Sequence, residues 1–274
     1  MGGKGAKRLS DEGRRRVPSA AVGAKQTLHA ELIKLRTLPG TVWLLLAVVA
    51  LTVAVGSVTA AAVTCAASGC GQDPAKAILS GIDLSQAVVA ILAVLAISGE
   101  YSTGMIRVTL TAMPRRITLL TAKAAVLTGL VLAAGTAGVL ASVLAGRLIL
   151  PPTSPAPFSL ANGADLRAAA GSVLYLALIG LLALGTATAV RDSAASIGAV
   201  LGLLYLFPVI ASAVGPDWSR HLQQIGPMSA GLDIQATTAL RSLPLSPWAG
   251  LGVLAAWAAA ALLAGGLLLR WRDA

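Results

Sequence analysis

Four polar side chains between residues 100 and 111, two of them charged, have types and a spacing that suit docking to another protein. Glu100, Thr103, Arg107 and Thr111 recur at helical intervals, so at about 100° per residue they share one face. Met105, Ile106, Leu110 and Met113 form a second face. The stretch is therefore amphipathic, apolar toward lipid or neighbouring helices and polar toward water. Pro114 lacks the N–H of an interior helical residue and ends the helix. Arg115 and Arg116 follow, placed for a water-facing turn or for anionic headgroups, and Lys123 opens the next apolar run. The chemistry on offer is charge-assisted docking. Residues 99–123 thus read as a cytosolic elbow that a soluble partner can push, with membrane-surface anchoring alone as the other reading.

Other reactive sets are weaker. His29 and His221 fall on opposite sides of the membrane in the topology below, and there is no HExxH zinc pair and no carboxylate pair within a span. Asp217, Ser219 and His221 assemble a triad only on paper, because triads are defined by geometry. No GxxxxGK motif followed by Ser or Thr occurs, so the chain itself is not expected to hydrolyse nucleotide. Cys65 and Cys70, in CAASGC, share a loop on the oxidising side, where either a disulfide or two free thiols is allowed. Asp83 lies near the outer end of the second apolar run with Gln86 one turn further in. It reads as an interfacial residue or as a proton or substrate site.

The elements that position these residues are membrane helices. The chain has 274 residues, 56% hydrophobic and 12% charged, with mean hydropathy +0.81. A soluble domain carries roughly a quarter charged residues. The expected fold is an all-α membrane protein with six transmembrane helices of about 20 apolar residues each. They fall near 42–63, 77–98, 124–144, 168–190, 194–214 and 248–269. No charged residue is expected at the centre of a span, and Arg191-Asp192 forms a very short turn. Residues 151–158 form a proline-dense linker and 215–247 a longer polar stretch. Gly198 and Gly202 form a GxxxG pair, which packs two backbones closely within the chain or across a dimer.

Net charge +10 invites a nucleic-acid reading. The basic residues, however, cluster in the N-terminal tail and at span junctions, where topology rules and anionic lipid account for them. With both termini cytoplasmic, only Lys76, Arg147, Arg167, Arg220 and Arg241 of the 21 Lys and Arg lie outside. Residues 1–26 read as a flexible basic tail and 27–274 as one membrane domain. Leu28, Leu32 and Leu35 with Glu31, Lys34 and Arg36 describe either a short interfacial helix or a plain stop signal. The tail is too long for a usual signal peptide, so an uncleaved first span is expected.

The elbow resembles a known family. ISGEYSTGMIRVTLTAMPRRITLLTAK (Ile97–Lys123) is similar to the signature after the second span in permease subunits of bacterial ATP-binding-cassette exporters of the type-2 superfamily. The matching positions include Gly99, Glu100, Tyr101, Thr103, Gly104, Met105, Arg107, Pro114, Arg115, Arg116 and Lys123. AELIKLRTLPGTVWLLL (Ala30–Leu46) resembles the family's lead-in to its first span through Glu31, Lys34, Arg36 and Thr37. RDSAASIGAVLGLLYLFP (Arg191–Pro208) resembles its fifth span, with Asp192–Ala195 departing from the commoner Thr-Ala-Gly pattern.

The resemblance implies a permease homodimer or heterodimer in the cell membrane, with ATP and Mg²⁺ held by separate ABC ATPase subunits. Glu100, Tyr101, Thr103, Gly104, Arg107, Arg115, Arg116 and Lys123 would then form the coupling surface. The 215–247 stretch, with GPMSAGLDI at Gly226–Ile234, resembles the region where relatives carry short re-entrant or external helices. The implied activity is export of a drug-like, lipid-like or peptide substrate. The alternatives are a non-transporting sensor or scaffold of the same fold and a membrane enzyme with an extracytoplasmic site.

Overall fold

The computed structural model describes residues 33, 39–62, 65–66, 69–70, 73–102, 116–149, 158–159, 161–213, 215–238, 240 and 243–271. Six helices are long and apolar enough to cross a membrane, the signature of a multi-pass membrane protein. The first is α1 (Pro39–Ala62). A two-residue antiparallel ladder follows, β1 (Cys65–Ala66) with β2 (Gly69–Cys70), whose backbone register sets Cys65 opposite Cys70. The second span comes in two pieces, α2 (Pro74–Leu79) and α3 (Ile82–Ser102). The third and fourth are α4 (Arg116–Ile149) and α5 (Gly163–Val190). The fifth is α6 (Ser193–Leu201), a π-helical segment at Gly202–Leu206, and α7 (Phe207–Ala213). Short helices α8 (Pro216–Ile225) and α9 (Pro227–Leu232) and a 3-10 turn (Asp233–Gln235) precede the last span, α10 (Pro247–Trp271).

The all-α, six-span expectation holds, and three spans differ from it in detail. The third was expected over 124–144, yet α4 has 34 residues, roughly 51 Å at 1.5 Å per residue against a hydrocarbon layer of about 30 Å. Helix formation continues past the apolar window because residues such as Leu119, Leu120 and Ala122 still bury against neighbours. The second span breaks at Ser80-Gly81. There α1 passes so close that a Cβ on Gly81 would lie 2.2 Å from the Thr52 carbonyl oxygen. The fifth span widens to π geometry before Pro208, with the Phe207 N–H donating to the Gly202 carbonyl. Pro208 has no N–H to donate and its ring crowds the preceding turn, which a wider turn relieves.

The fourth span is the hub, packing against α3, α4, α6 and most extensively α10. Contact with α10 is backbone to backbone: a Cβ at Gly185 would fall 2.5 Å from the Ala261 carbonyl carbon and the Leu262 nitrogen. Small residues do this in membranes because close dispersion contact has to replace the hydrophobic drive. Hydroxyls join the first three spans. Thr52 and Ser85 lie Oγ to Oγ at 2.7 Å beside the Val48 carbonyl, and Ser142 donates to the Thr52 carbonyl at 2.8 Å.

The expected short turn is found. Val190 is followed by Arg191 in the left-handed region (φ 64°). Asp192 then caps α6, its carboxylate accepting from the Ala195 N–H at 2.7 Å.

Candidate functional site

The polar stretch after the fifth span forms a helical hairpin that turns back along the bundle. Its descending arm, α8, returns alongside α7. Its tip at Gly226-Pro227 faces Phe207, six residues back from the end of α7. The Trp257 ring N–H donates to the Ile225 carbonyl at 2.9 Å, ten residues into α10. These two markers put the tip roughly 10–15 Å below the mouth of the bundle. The ascending arm climbs beside α5, with Met228 at Gln86 and Ile234 against Gly171. Non-helical backbone at this depth is tolerated where protein buries it, and Ala230, Gly231, Ile234 and Gln235 are buried. In the region where the resemblance implied short re-entrant or external helices, the chain thus turns back along the fifth and sixth spans.

At the mouth the ascending arm is clasped by one carboxylate. Asp73 accepts from the Thr237 N–H at 2.6 Å, the Thr237 hydroxyl at 2.7 Å and the Thr238 N–H at 3.0 Å. It also caps α2 through the Ala75 N–H at 3.1 Å. Burial alone would raise its pKa, but the hydrogen bonds from Thr237, Thr238 and the Lys76 backbone outweigh it and hold the carboxyl below its ordinary value. Arg167, on α5, adds a second tie by donating to the Ala236 carbonyl at 2.6 Å.

Deeper in, the break in the second span, the π segment of the fifth and the hairpin tip meet. Gln86 is fully buried. Its amide nitrogen donates to the Asp83 carbonyl at 3.0 Å and to Met228 Sδ at 3.3 Å, and its oxygen accepts from the Tyr175 hydroxyl. Tyr205, inside the π segment, donates its hydroxyl to the Asp83 carbonyl. The Asp83 Oδ1 atom is buried with no hydrogen-bond partner. Chemically this is a polar node in an apolar bundle, one carboxylate and two phenols at a broken helix, the kind of place where transporters handle polar cargo or ions.

Asp83 therefore sits deeper than expected. The span begins at Pro74 rather than near Ala77, so Asp83 lies nine residues in, roughly 14 Å along the axis. The interruptions of the second and fifth spans lie where other helices of the chain approach closely. Pro208 was the one local signal; nothing in the sequence paired Gln86 with Tyr175, 89 residues away.

The elbow residues are partly placed. Glu100 and Tyr101 are in the last turn of α3, which runs unbroken to Ser102, and Arg116 is the first residue of α4. Thr103, Gly104, Arg107 and Arg115 lie outside the described residues, as do Glu31, Lys34 and Arg36. Lys123 is fully buried in the bundle, so it differs from the surface anchor expected.

Gly198 is exposed and Gly202 half-buried, and an added Cβ at either would meet nothing within 4 Å. The pair therefore packs against no helix among the described residues. Asp217, Ser219 and His221 share α8 at two-residue spacing, which turns successive members about 200° apart. Position 219 therefore falls on the face opposite 217 and 221, and the Ser219 hydroxyl accepts from Gln223 at 3.1 Å. No group of three or more metal-ligating side chains occurs among the described residues.

No protein family matches the chain, and no curated protein matches it either. The described residues form a bundle of six helices long and apolar enough to cross a membrane, with a hairpin clasped by Asp73.

Proposed function

We propose that the chain is the transmembrane subunit of an ATP-driven exporter, powered by a separate ATPase chain that holds ATP and Mg²⁺. The supporting observation is a rigid connection. Helix α3 is continuous from Ile82 to Ser102, roughly 31 Å. One end carries Glu100 and Tyr101, the start of the segment that resembles a coupling helix. The other carries Asp83 and Gln86, at the polar node. A displacement of the first end by a docked partner moves the second, where Tyr205 and Met228 contact it from the fifth span and the hairpin. Beyond residue 115 the chain enters α4, which at 34 residues is longer still, so a long helix leads away from each end of the segment.

In this reading both termini are cytoplasmic, the chain works as a homodimer or heterodimer in the cell membrane, and hydrolysis belongs to the partner. Drug-like, lipid-like or peptide cargo fits the apolar bundle. Glu100→Ala should lower transport-coupled ATPase activity while the permease still assembles with its ATPase. Unchanged coupling in that variant defeats the assignment.

A second reading is favoured by Asp83, whose buried Oδ1 at a helix break suits an ion-coupled carrier. Uptake into energised vesicles separates the two. Transport that needs ATP and survives a protonophore supports the exporter, whereas transport that needs only the proton gradient supports the carrier.

A further inference from the structure

The hairpin's descending arm leaves a groove on the flank of the last span. It has a volume of about 460 Å³ and is lined by Gln224 and Ile225 of α8 and by Val253, Ala256, Trp257 and Ala260 of α10. That volume lies within the range of small-molecule sites, roughly 300–1,000 Å³. The four α10 residues follow the i, i+3, i+4, i+7 pattern, so they form one continuous apolar strip along the helix axis. The strip begins six residues and ends thirteen residues after Pro247, roughly 9–20 Å below the start of the helix. This is acyl-chain depth.

The walls are fixed. Trp257 is hydrogen-bonded to the Ile225 carbonyl at 2.9 Å, and Gln224 donates to the Pro244 carbonyl at 3.1 Å. Above the strip the chemistry changes. Arg220 is exposed one helical turn before Gln224, on the same face of α8. That places a cation roughly 6 Å nearer the mouth than the groove, at headgroup level. Trp218 and Trp248, 68% and 57% exposed, flank the same end as interfacial aromatics do.

We infer that this groove binds one anionic phospholipid from the leaflet on the hairpin side, its acyl chain along Val253–Ala260 and its phosphate at Arg220. An apolar slot capped by a single cation matches the order of groups in such a lipid, and the occupied slot braces α8 against α10. The site stands apart from the polar node and does not depend on the exporter reading.

The test is native mass spectrometry of the full chain in mild detergent, equilibrated in parallel with phosphatidylglycerol and phosphatidylcholine. Wild type should retain phosphatidylglycerol about fivefold better, the effect of one basic residue near an anionic headgroup. Arg220→Gln should bring the ratio to about one. Ala256→Phe, at an exposed position, should fill the slot and lower retention of both lipids while leaving the melting temperature unchanged. Equal retention of the two lipids by wild type, or a preference that survives Arg220→Gln, overturns the proposal in favour of bulk annular lipid. If Ala256→Phe dissociates a dimer without altering lipid retention, the groove is covered by a second copy and the proposal is wrong.

Discussion

The second and fourth spans differ from the first, fifth and sixth in how much of them the chain itself covers. About 61% of the apolar window of each inner span is buried, against 22% in each outer span. The inner pair holds the hub helix, the broken helix and most of the buried hydrogen bonds. The outer spans present leucine and valine side chains such as Leu46, Val58, Val209 and Leu263 to their surroundings. Buried polar contacts largely follow the same division, because protein-covered segments can satisfy them in a membrane; the π segment of the fifth span is the exception, and its Tyr205 hydroxyl reaches the Asp83 carbonyl of the second span. The outer spans are left with a surface for lipid or a second subunit. Inner substitutions should therefore act on folding, and outer ones on association.

The sharpest break of this contrast is Gly185→Leu. Backbone atoms of Ala261 and Leu262 occupy the space a side chain needs, so the α5–α10 contact must open. The expected cost is about 3 kcal/mol or more, read as loss of a monodisperse species and a collapse of thermal stability in detergent.

Next comes Asp73→Ala, which strips three hydrogen bonds from the ascending arm. Charged hydrogen bonds contribute roughly 1.5–3 kcal/mol when buried, and about half-exposure at the mouth reduces this to around 2 kcal/mol. Protease sensitivity should appear between residues 226 and 240. The same clasp has a pH signature. Its folded-state pKa lies below the ordinary value of 3.8, so its stabilisation is complete above that value and is lost as pH falls through the folded pKa. A melting curve measured downward from neutral pH should steepen its decline below about pH 4 in wild type but not in Asp73→Ala.

Tyr175→Phe is milder. It deprives the buried Gln86 oxygen of its donor, costing about 1 kcal/mol on the scale of membrane side-chain hydrogen bonds, which equilibrium unfolding would resolve.

The smallest effect on folding is expected from Gly198→Leu, within about 0.5 kcal/mol, because nothing in this chain meets the new side chain. A change of oligomeric state with unchanged monomer stability would sharpen the inner–outer division. Destabilisation of the monomer would break it.

The six spans were legible because the bilayer imposes a length and an apolarity that hydropathy reads directly. The Arg191-Asp192 turn was legible because two polar residues between apolar runs leave room for little else. The polar node was not. Asp83 and Gln86 could be singled out, but their partners Tyr175, Tyr205 and Met228 come from distant elements, and sequence spacing carries no such information. The break at Ser80-Gly81 was hidden for the same reason, since its cause is the Thr52 backbone of another helix. The GxxxG pair at Gly198 and Gly202 shows the converse: a motif readable locally, left unused by the chain's own packing.

The measurement that tests the exporter account most directly is a tagged pull-down of the full chain in mild detergent, with identification of co-purifying chains and an ATPase assay. The account predicts a stoichiometric ATP-binding-cassette subunit with ATPase activity, lost on charge reversal at Glu100 or Arg107. A clean homo-oligomer with no ATPase would contradict it.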